Sequence, residues 1–190
     1  VNSICGDKVK LRQITMDDVP ELWTMIYGTK KPEWKKWDAP YFPLQPEPYQ
    51  YFAESFVPLL KEKPPRYAAI EIDGRFKGTI SYYWECRPTR WLECGIVIYD
   101  PQFWNGGYGT EAVKLWVGYL FENTEVARIG MTTWSGNARM MKCAEKAGFT
   151  LEGRLRKVRY YDGVYYDSIR YGILREEWEH IYGEGCRYNK

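Results

Sequence analysis

Two Asp-Gly pairs, Asp73-Gly74 and Asp162-Gly163, constrain this chain more tightly than any other feature of its sequence. Each stands between two stretches of alternating, strand-forming residues: 66–72 and 76–84 around the first, 151–161 and 164–174 around the second. A two-residue loop of this kind needs φ > 0 at both positions, which Asp and Gly tolerate, and its twist suits antiparallel strands. Two separate hairpins are therefore predicted. Residues 8–12, 91–99 and 127–134 alternate in the same way, which brings the strand count to about seven. Thr15, with Asp18 three residues on, predicts the start of a helix carrying Val19, Leu22, Trp23 and Ile26 up to Gly28. Further helices are predicted over residues 47–62, with Pro58 as a kink, and over 111–121, with Ala112, Leu115, Trp116, Tyr119 and Leu120 on one face. A fourth covers residues 137–147 and is stopped by Gly148. No repeat, low-complexity tract or linker interrupts this order. A single mixed α/β domain over residues 1–190 is expected, with about four helices interleaved through a largely antiparallel sheet.

Charge and rare residues narrow the function classes. With 27 Lys+Arg against 25 Asp+Glu the net charge is only +2, which disfavours a general nucleic-acid or anionic-membrane binder. One histidine, His180, leaves no pair for a His-built metal site or a two-histidine mechanism, and its place in a helix-like tail reads as surface. The five cysteines (Cys5, Cys86, Cys94, Cys143 and Cys186) are odd in number and form no C-x-x-C pair. A disulfide framework or zinc cluster is disfavoured and a reducing cytoplasm fits. No apolar run approaches the ~20 residues of a spanning helix, and Asp7-Lys8 interrupts any signal-peptide centre. The expectation is a cytoplasmic protein with no metal and no direct nucleic-acid or membrane partner. Aromatic residues are 17% of the chain, and ten of them fall between Trp23 and Phe56, with five of the eleven prolines between Pro32 and Pro48. Regular structure is not expected between Gly28 and Pro48, and a long aromatic loop of this kind is more often functional than a short one.

Between the strand at 91–99 and the helix at 111–121 lies Trp104-Asn-Gly-Gly-Tyr-Gly-Thr110. Gly106, Gly107 and Gly109 would let a ligand approach the backbone, and the following helix offers unpaired N–H groups and its positive dipole end. A phosphate or pyrophosphate is the expected guest; the alternative is a tight turn whose glycines merely satisfy φ. A Walker loop would place Lys after the last glycine, where Thr110-Glu111 stands, so a nucleotide triphosphatase is excluded. A dinucleotide fingerprint belongs on an early strand, whereas this loop lies past mid-chain after an antiparallel hairpin.

The segment resembles the acyl-CoA loop of the GNAT N-acetyltransferases, Arg/Gln-x-x-Gly-x-Gly/Ala, here residues 104–109 followed by Thr110-Glu111-Ala112. Residues 137–149, Asn-Ala-Arg-Met-Met-Lys-Cys-Ala-Glu-Lys-Ala-Gly-Phe, are similar to that family's second segment. Residues 161–167 and 171–178 are similar to the closing hairpin of its Rim-type branch, which acetylates ribosomal-protein N-termini. The resemblance covers about residues 8–180 and implies a GNAT-like fold with an acyl-CoA cleft between splayed central strands. It implies acetyl-CoA as co-substrate, with Val97, Ile98 and Tyr99 along the pantetheine and Asn105, Gly106, Gly107, Tyr108, Gly109 and Thr110 around the pyrophosphate. Asn137 matches the position that holds the cofactor arm, and a backbone N–H near Tyr99 would polarise the thioester carbonyl. The chain departs from the pattern at Trp104, where Arg or Gln is usual, and at Met140 and Ala144, where many relatives carry the Ser or Tyr that protonates the departing thiolate.

Acetyl transfer to an amine needs a base and an acid. Glu93 matches the Glu of the branch's Glu-x-Gly strand segment and is the candidate base, directly or through water; the alternative is a strand carboxylate satisfied by a hydroxyl or Arg. Tyr171, Tyr82 and Cys143 are on hand as acids, though each also reads as packing. Cys94 and Cys143 have no nearby His, which favours direct transfer in a ternary complex over a covalent Cys-acyl intermediate. Trp34, Trp37, Asp38, Tyr41 and Phe42 fall where such folds wall the acceptor. The rings would enclose an amine by cation-π contact, with Asp38 supplying charge; the alternative is a packed loop or a homodimer contact. The expected function is N-acetylation of a protein N-terminus or a small amine, the alternative a catalytically weak acyl-CoA-binding module.

Overall fold

The computed structural model describes residues 3–183, and Cys186 lies outside them. The chain runs β1 (Ile4–Cys5), β2 (Lys10–Gln13), α1 (Val19–Tyr27), α2 (Tyr49–Leu59), β3 (Tyr67–Ile72), β4 (Arg75–Cys86), β5 (Trp91–Ile98), α3 (Tyr108–Asn123), β6 (Arg128–Trp134), α4 (Ala138–Lys146), β7 (Thr150–Tyr161), β8 (Val164–Leu174) and α5 (Arg175–Tyr182). Both Asp-Gly pairs turn as expected, with φ of 51° and 70° at Asp73 and Gly74 and 50° and 77° at Asp162 and Gly163. Among the described residues the strands form one eight-stranded sheet in the order β1-β2-β3-β4-β5-β6-β8-β7. Every neighbouring pair is antiparallel except β5 and β6. The extra strand is the two-residue β1, too short to show an alternation, and the extra helix is α5.

Local chemistry explains the element ends. Thr15 and Asp18 form a capping box, closing a 3-10 turn (Met16–Asp18) that leads into α1. The second helix is shorter than residues 47–62 because Pro48 stays extended at its N-cap and Pro58 falls in its last turn. Between residues 28 and 48 the regular structure is one 3-10 turn, Glu33–Lys36. The third helix begins three residues early, at Tyr108, where Gly107 takes the left-handed φ of 85° that ends the loop.

The sheet separates two cores. On one face Leu92, Cys94, Ile129, Met131, Ile169 and Tyr171 pack with Trp116, Leu120 and the other inward residues of α3, together with Ala144 of α4. On the other, at the β2–β4 end, Ala69 and Phe76 meet Val19 and Leu22 of α1 and Phe52 and Phe56 of α2. α1 and α2 cover only part of their face. The remainder, in front of β5, β6 and β8, is bordered by the aromatic segment.

Candidate active site

The parallel pair opens almost at once. Its register comprises only Leu92 with Ile129 and Glu93 with Gly130, although β5 runs on to Ile98 and β6 to Trp134. The Tyr99 amide donates to the Lys77 carbonyl at 2.9 Å, so the N–H groups of Tyr99 and Val97 face β4. By strand alternation the amides and carbonyls of Ile96 and Ile98 face the opening. The donor near Tyr99 is therefore Ile98 or Ile96, while the Ile98 carbonyl accepts from Trp104 Nε1 at 2.8 Å. The ring of Tyr99 leaves the cleft: it packs edge-on to Trp34 at 5.5 Å and its hydroxyl meets that of Thr79 at 3.1 Å.

The glycine loop closes the far end of this opening. Asp100 accepts the Gln102 amide at 3.1 Å and lies 3.0 Å from Lys77 Nζ, which fixes the chain as it leaves β5. Asn105 (φ 63°) and Gly107 are both left-handed and aim the loop into the N-terminus of α3. A Cβ on Gly109 would lie 3.8 Å from Cys143 Sγ and from Ile98 Cδ1, so its bare backbone faces α4 across the opening. Thr110 Oγ1 donates to Cys143 Sγ at 3.7 Å. Burial pushes the Cys143 thiol up from its ordinary value.

Two residues missed by the sequence reading complete this end. Glu111 accepts the amides of Asp7, Lys8 and Val9 at 2.9, 2.8 and 2.8 Å, tying the β1–β2 turn to α3. That tie brings Lys8 Nζ to 2.8 Å from the Gly106 carbonyl, so an ammonium stands at the loop expected to hold a pyrophosphate. Nothing local marks either residue, because the contact spans about a hundred positions.

Asn137 is occupied by structural bonds. Its Oδ1 caps α4 by accepting the Met140 amide at 3.1 Å, and its Nδ2 donates to the Trp37 carbonyl at 3.0 Å. Trp134 Nε1 donates to that carbonyl too, at 2.8 Å, so the aromatic segment is latched to β6 and α4. The guanidinium of Arg139 fills the angle between Trp37 and Trp104, 4.0 and 4.3 Å from their ring centroids. Tyr41 packs on Phe42 and Trp134, with Arg159 5.1 Å from its ring. The rings expected to receive an amine thus carry the protein's own arginines. Asp38 is 57% exposed; desolvation raises its carboxyl above the ordinary range, opposed by Lys35 4.0 Å away.

Glu93 projects from β5 away from the core that holds Leu92 and Cys94, and it is fully buried. Its carboxylate accepts from Trp91 Nε1 at 3.1 Å and from Thr132 Oγ1 at 2.7 Å, with Arg128 and Arg170 guanidinium nitrogens at 3.7 and 3.9 Å. Thr132 is half-buried and connects the carboxylate to the open face. Tyr83, opposite Glu93 on β4, is pushed up to about 12 by burial and by the charges of Glu93 and Glu85. The other acid candidates are committed elsewhere: Tyr171 donates to Glu145 at 2.9 Å and Tyr82 to the Pro64 carbonyl at 3.1 Å. His180 is exposed. Among the described residues no group of three or more His, Cys, Asp or Glu stands close enough to hold a metal ion, and no helix is long and apolar enough to cross a membrane.

A parallel pair that opens after two residues, with a glycine loop and a helix N-terminus closing the gap, has the form expected of the donor cleft of an acyl-CoA-dependent acyltransferase. The chain belongs to the GNAT acetyltransferases: the profile of the "Acetyltransferase (GNAT) domain" matches residues 8–150. Among its relatives is the SPbeta prophage-derived uncharacterized N-acetyltransferase YokL of Bacillus subtilis (strain 168), 26% identical over 179 residues that cover 94% of this chain and 96% of YokL. Its fold is shared with RimL, a ribosomal L7/L12 α-N-protein acetyltransferase in complex with coenzyme A (TM-score 0.73, 17% identity, 91% of this chain and 98% of that one). It is shared equally with spermidine N-acetyltransferase from Vibrio cholerae in complex with CoA and spermine (TM-score 0.75, 17% identity, 91% and 99%). The chain is an acyltransferase, and the donor its family uses is acetyl-CoA.

Proposed function

We propose that this protein transfers the acetyl group of acetyl-CoA directly to a primary amine, of a protein N-terminus or a small molecule, within a ternary complex. The observation that carries this reading is the opening between β5 and β6, which leaves Ile96 and Ile98 backbone groups beyond the paired stretch. In it, pantetheine amides pair with that edge and an N–H of the edge polarises the thioester carbonyl. The pyrophosphate rests on residues 105–110, where the α3 dipole and Lys8 both favour negative charge. Trp104 serves as a wall that fixes the Ile98 carbonyl, in place of a phosphate-binding side chain.

On the other side of β5 the acceptor amine sits in front of Thr132, under the aromatic segment. Because Glu93 is buried, its proton arrives through the Thr132 hydroxyl, which donates to Glu93 Oε2 and accepts from the amine or an intervening water. Glu93 is thus a positioning residue and proton store acting through Thr132. Glu93→Gln is expected to lower kcat about 100-fold with acetyl-CoA affinity unchanged. Thr132→Val should repeat the kcat loss. Unchanged turnover in Glu93→Gln, or a kcat loss that Thr132→Val does not repeat, would show that the carboxylate only holds the strands together.

A further inference from the structure

We propose that the acceptor carries an anionic group, the carboxylate of an acidic side chain or chain end, and that Arg159 receives it. The proposal rests on the Glu93 face being the acceptor side. Arg159 stands opposite Tyr166 in the β7–β8 ladder, and the Tyr166 ring packs on Trp134 at 4.7 Å, so the arginine borders the face that also holds Thr132 and Glu93. Its guanidinium lies 5.1 Å from the Tyr41 ring and 6.0 Å from that of Phe42. Its Nε is buried with no hydrogen-bond partner, and Nη1 has only a long 3.4 Å contact to the Val158 carbonyl. Leaving a buried donor unpaired costs about 1–3 kcal/mol.

Among the described residues, three other arginines of this region, unlike Arg139 and Arg156, have carboxylates. Arg128 pairs with Glu152, Arg154 with Asp167, and Arg170 with Glu85. The Asp167 carboxylate is further taken by the Lys157 amide at 2.8 Å. Among the described residues Arg159 makes no ion pair with a carboxylate; it lies against the rings of Tyr41 and Phe42, and the Val158 carbonyl is its one hydrogen-bond partner. Arg156 and Lys157 add two positive charges to the same strand.

The arginines also exclude one class of acceptor. A polyamine would need the Trp37 and Tyr41 faces for its ammonium groups, but Arg139 and Arg159 cover those faces and would repel a second cation. An anion at Arg159 completes the pairing instead. From Arg170, the partner of Thr132, to Tyr166, the partner of Arg159, is four residues of β8. Thr132 and Arg159 lie on the strands either side of it, so about 13 Å along the strands and ~10 Å across them give about 16 Å. An acceptor with its amine at Thr132 and its carboxylate at Arg159 is therefore about as long as an extended pentapeptide.

The test uses the full chain saturated with CoA. Trp fluorescence reports binding of Ser/Ala peptides in which a single Glu, Gln or Lys is scanned over positions two to five, with spermidine as the polycation; acetyl transfer is followed in parallel. The best Glu peptide is expected to bind about tenfold tighter than its Gln counterpart, the size of one charge-assisted hydrogen bond. Arg159→Leu should bring that ratio near one, and Arg159→Lys should restore part of it. Equal binding of Glu and Gln peptides, tighter binding of spermidine, or a ratio unmoved in Arg159→Leu would overturn the anion site, even with acetyl transfer intact. Arg159-dependent binding of acidic peptides with no acetyl transfer to any amine would support the anion site and overturn the transferase reading.

Discussion

Arg12 shows how much of the fold hangs on single side chains. Its Nε donates to Glu71 on β3 at 2.6 Å, and its two terminal nitrogens donate to Asp18 at 2.7 Å each, so one half-buried guanidinium joins two strands to the entry of α1. Burial opposes ionisation of Asp18, but the Arg12 and Thr15 hydrogen bonds outweigh it and hold the carboxyl below its ordinary value. Glu71 is lowered in the same way. A carboxyl whose folded pKa is depressed contributes stability that is fully present above its unfolded value, about 4, and is lost as pH falls through the folded one. Asp18→Asn should therefore lower Tm most near neutral pH, and the gap from the natural chain should close below about pH 4. A gap of constant size down to about pH 2 would contradict the pairing. The Thr15–Asp18 cap was legible because its partners are three residues apart; Arg12 was not, because its second partner lies on a strand the sequence does not mark as a neighbour.

Among the elements, the hairpins were the most readable, since their turns require φ > 0 at two consecutive positions and Asp-Gly supplies it locally. The glycine loop was readable for the same reason, and it lies where its spacing predicts. What could not be read was how elements lean on one another. β8 sits between β6 and β7, an order set by long-range packing and not by any periodicity. The aromatic segment was expected to wall the acceptor and to enclose an amine, and the cations its rings meet in the structure are Arg139 and Arg159, residues on α4 and β7 that reach it only in the folded chain. The β1–β2 turn belongs here too, because Glu111 must reach three of its amides before Lys8 can stand over the loop. Lys8→Gln is expected to raise KM for acetyl-CoA about fivefold, to reduce the salt dependence of that KM, and to leave kcat near its natural value. Glu111→Ala should raise the same KM and also lower stability by about 1–3 kcal/mol, through the amides it strands. Equal KM values in Lys8→Gln and the natural chain would place the pyrophosphate elsewhere.

Across the whole molecule, β5 serves two faces at once. Its edge toward β6 opens a cleft for the acyl donor, while Glu93 and the ring of Tyr99 look onto the face roofed by the aromatic segment. In the proposed reading a thioester in the cleft and an amine under the roof would meet across a single strand, as direct attack requires. Cys94, on the opposite face, is fully buried with its thiol pushed strongly upward by desolvation, so it is no nucleophile for an acyl-enzyme. The near-neutral composition pointed away from nucleic acid, and the single histidine left the proton chemistry to carboxylate, tyrosine or water, with Glu93 as the candidate that the proposed relay through Thr132 uses. The most direct test is the initial-rate pattern of CoA release with acetyl-CoA and a peptide amine varied together, with the acetylated amine identified by mass spectrometry. The account predicts amine-dependent release, double-reciprocal lines that intersect, and one acetyl group on the amine for each CoA released. Parallel lines with an acetylated enzyme in the absence of amine, or tight acetyl-CoA binding with no amine-dependent release, would contradict it.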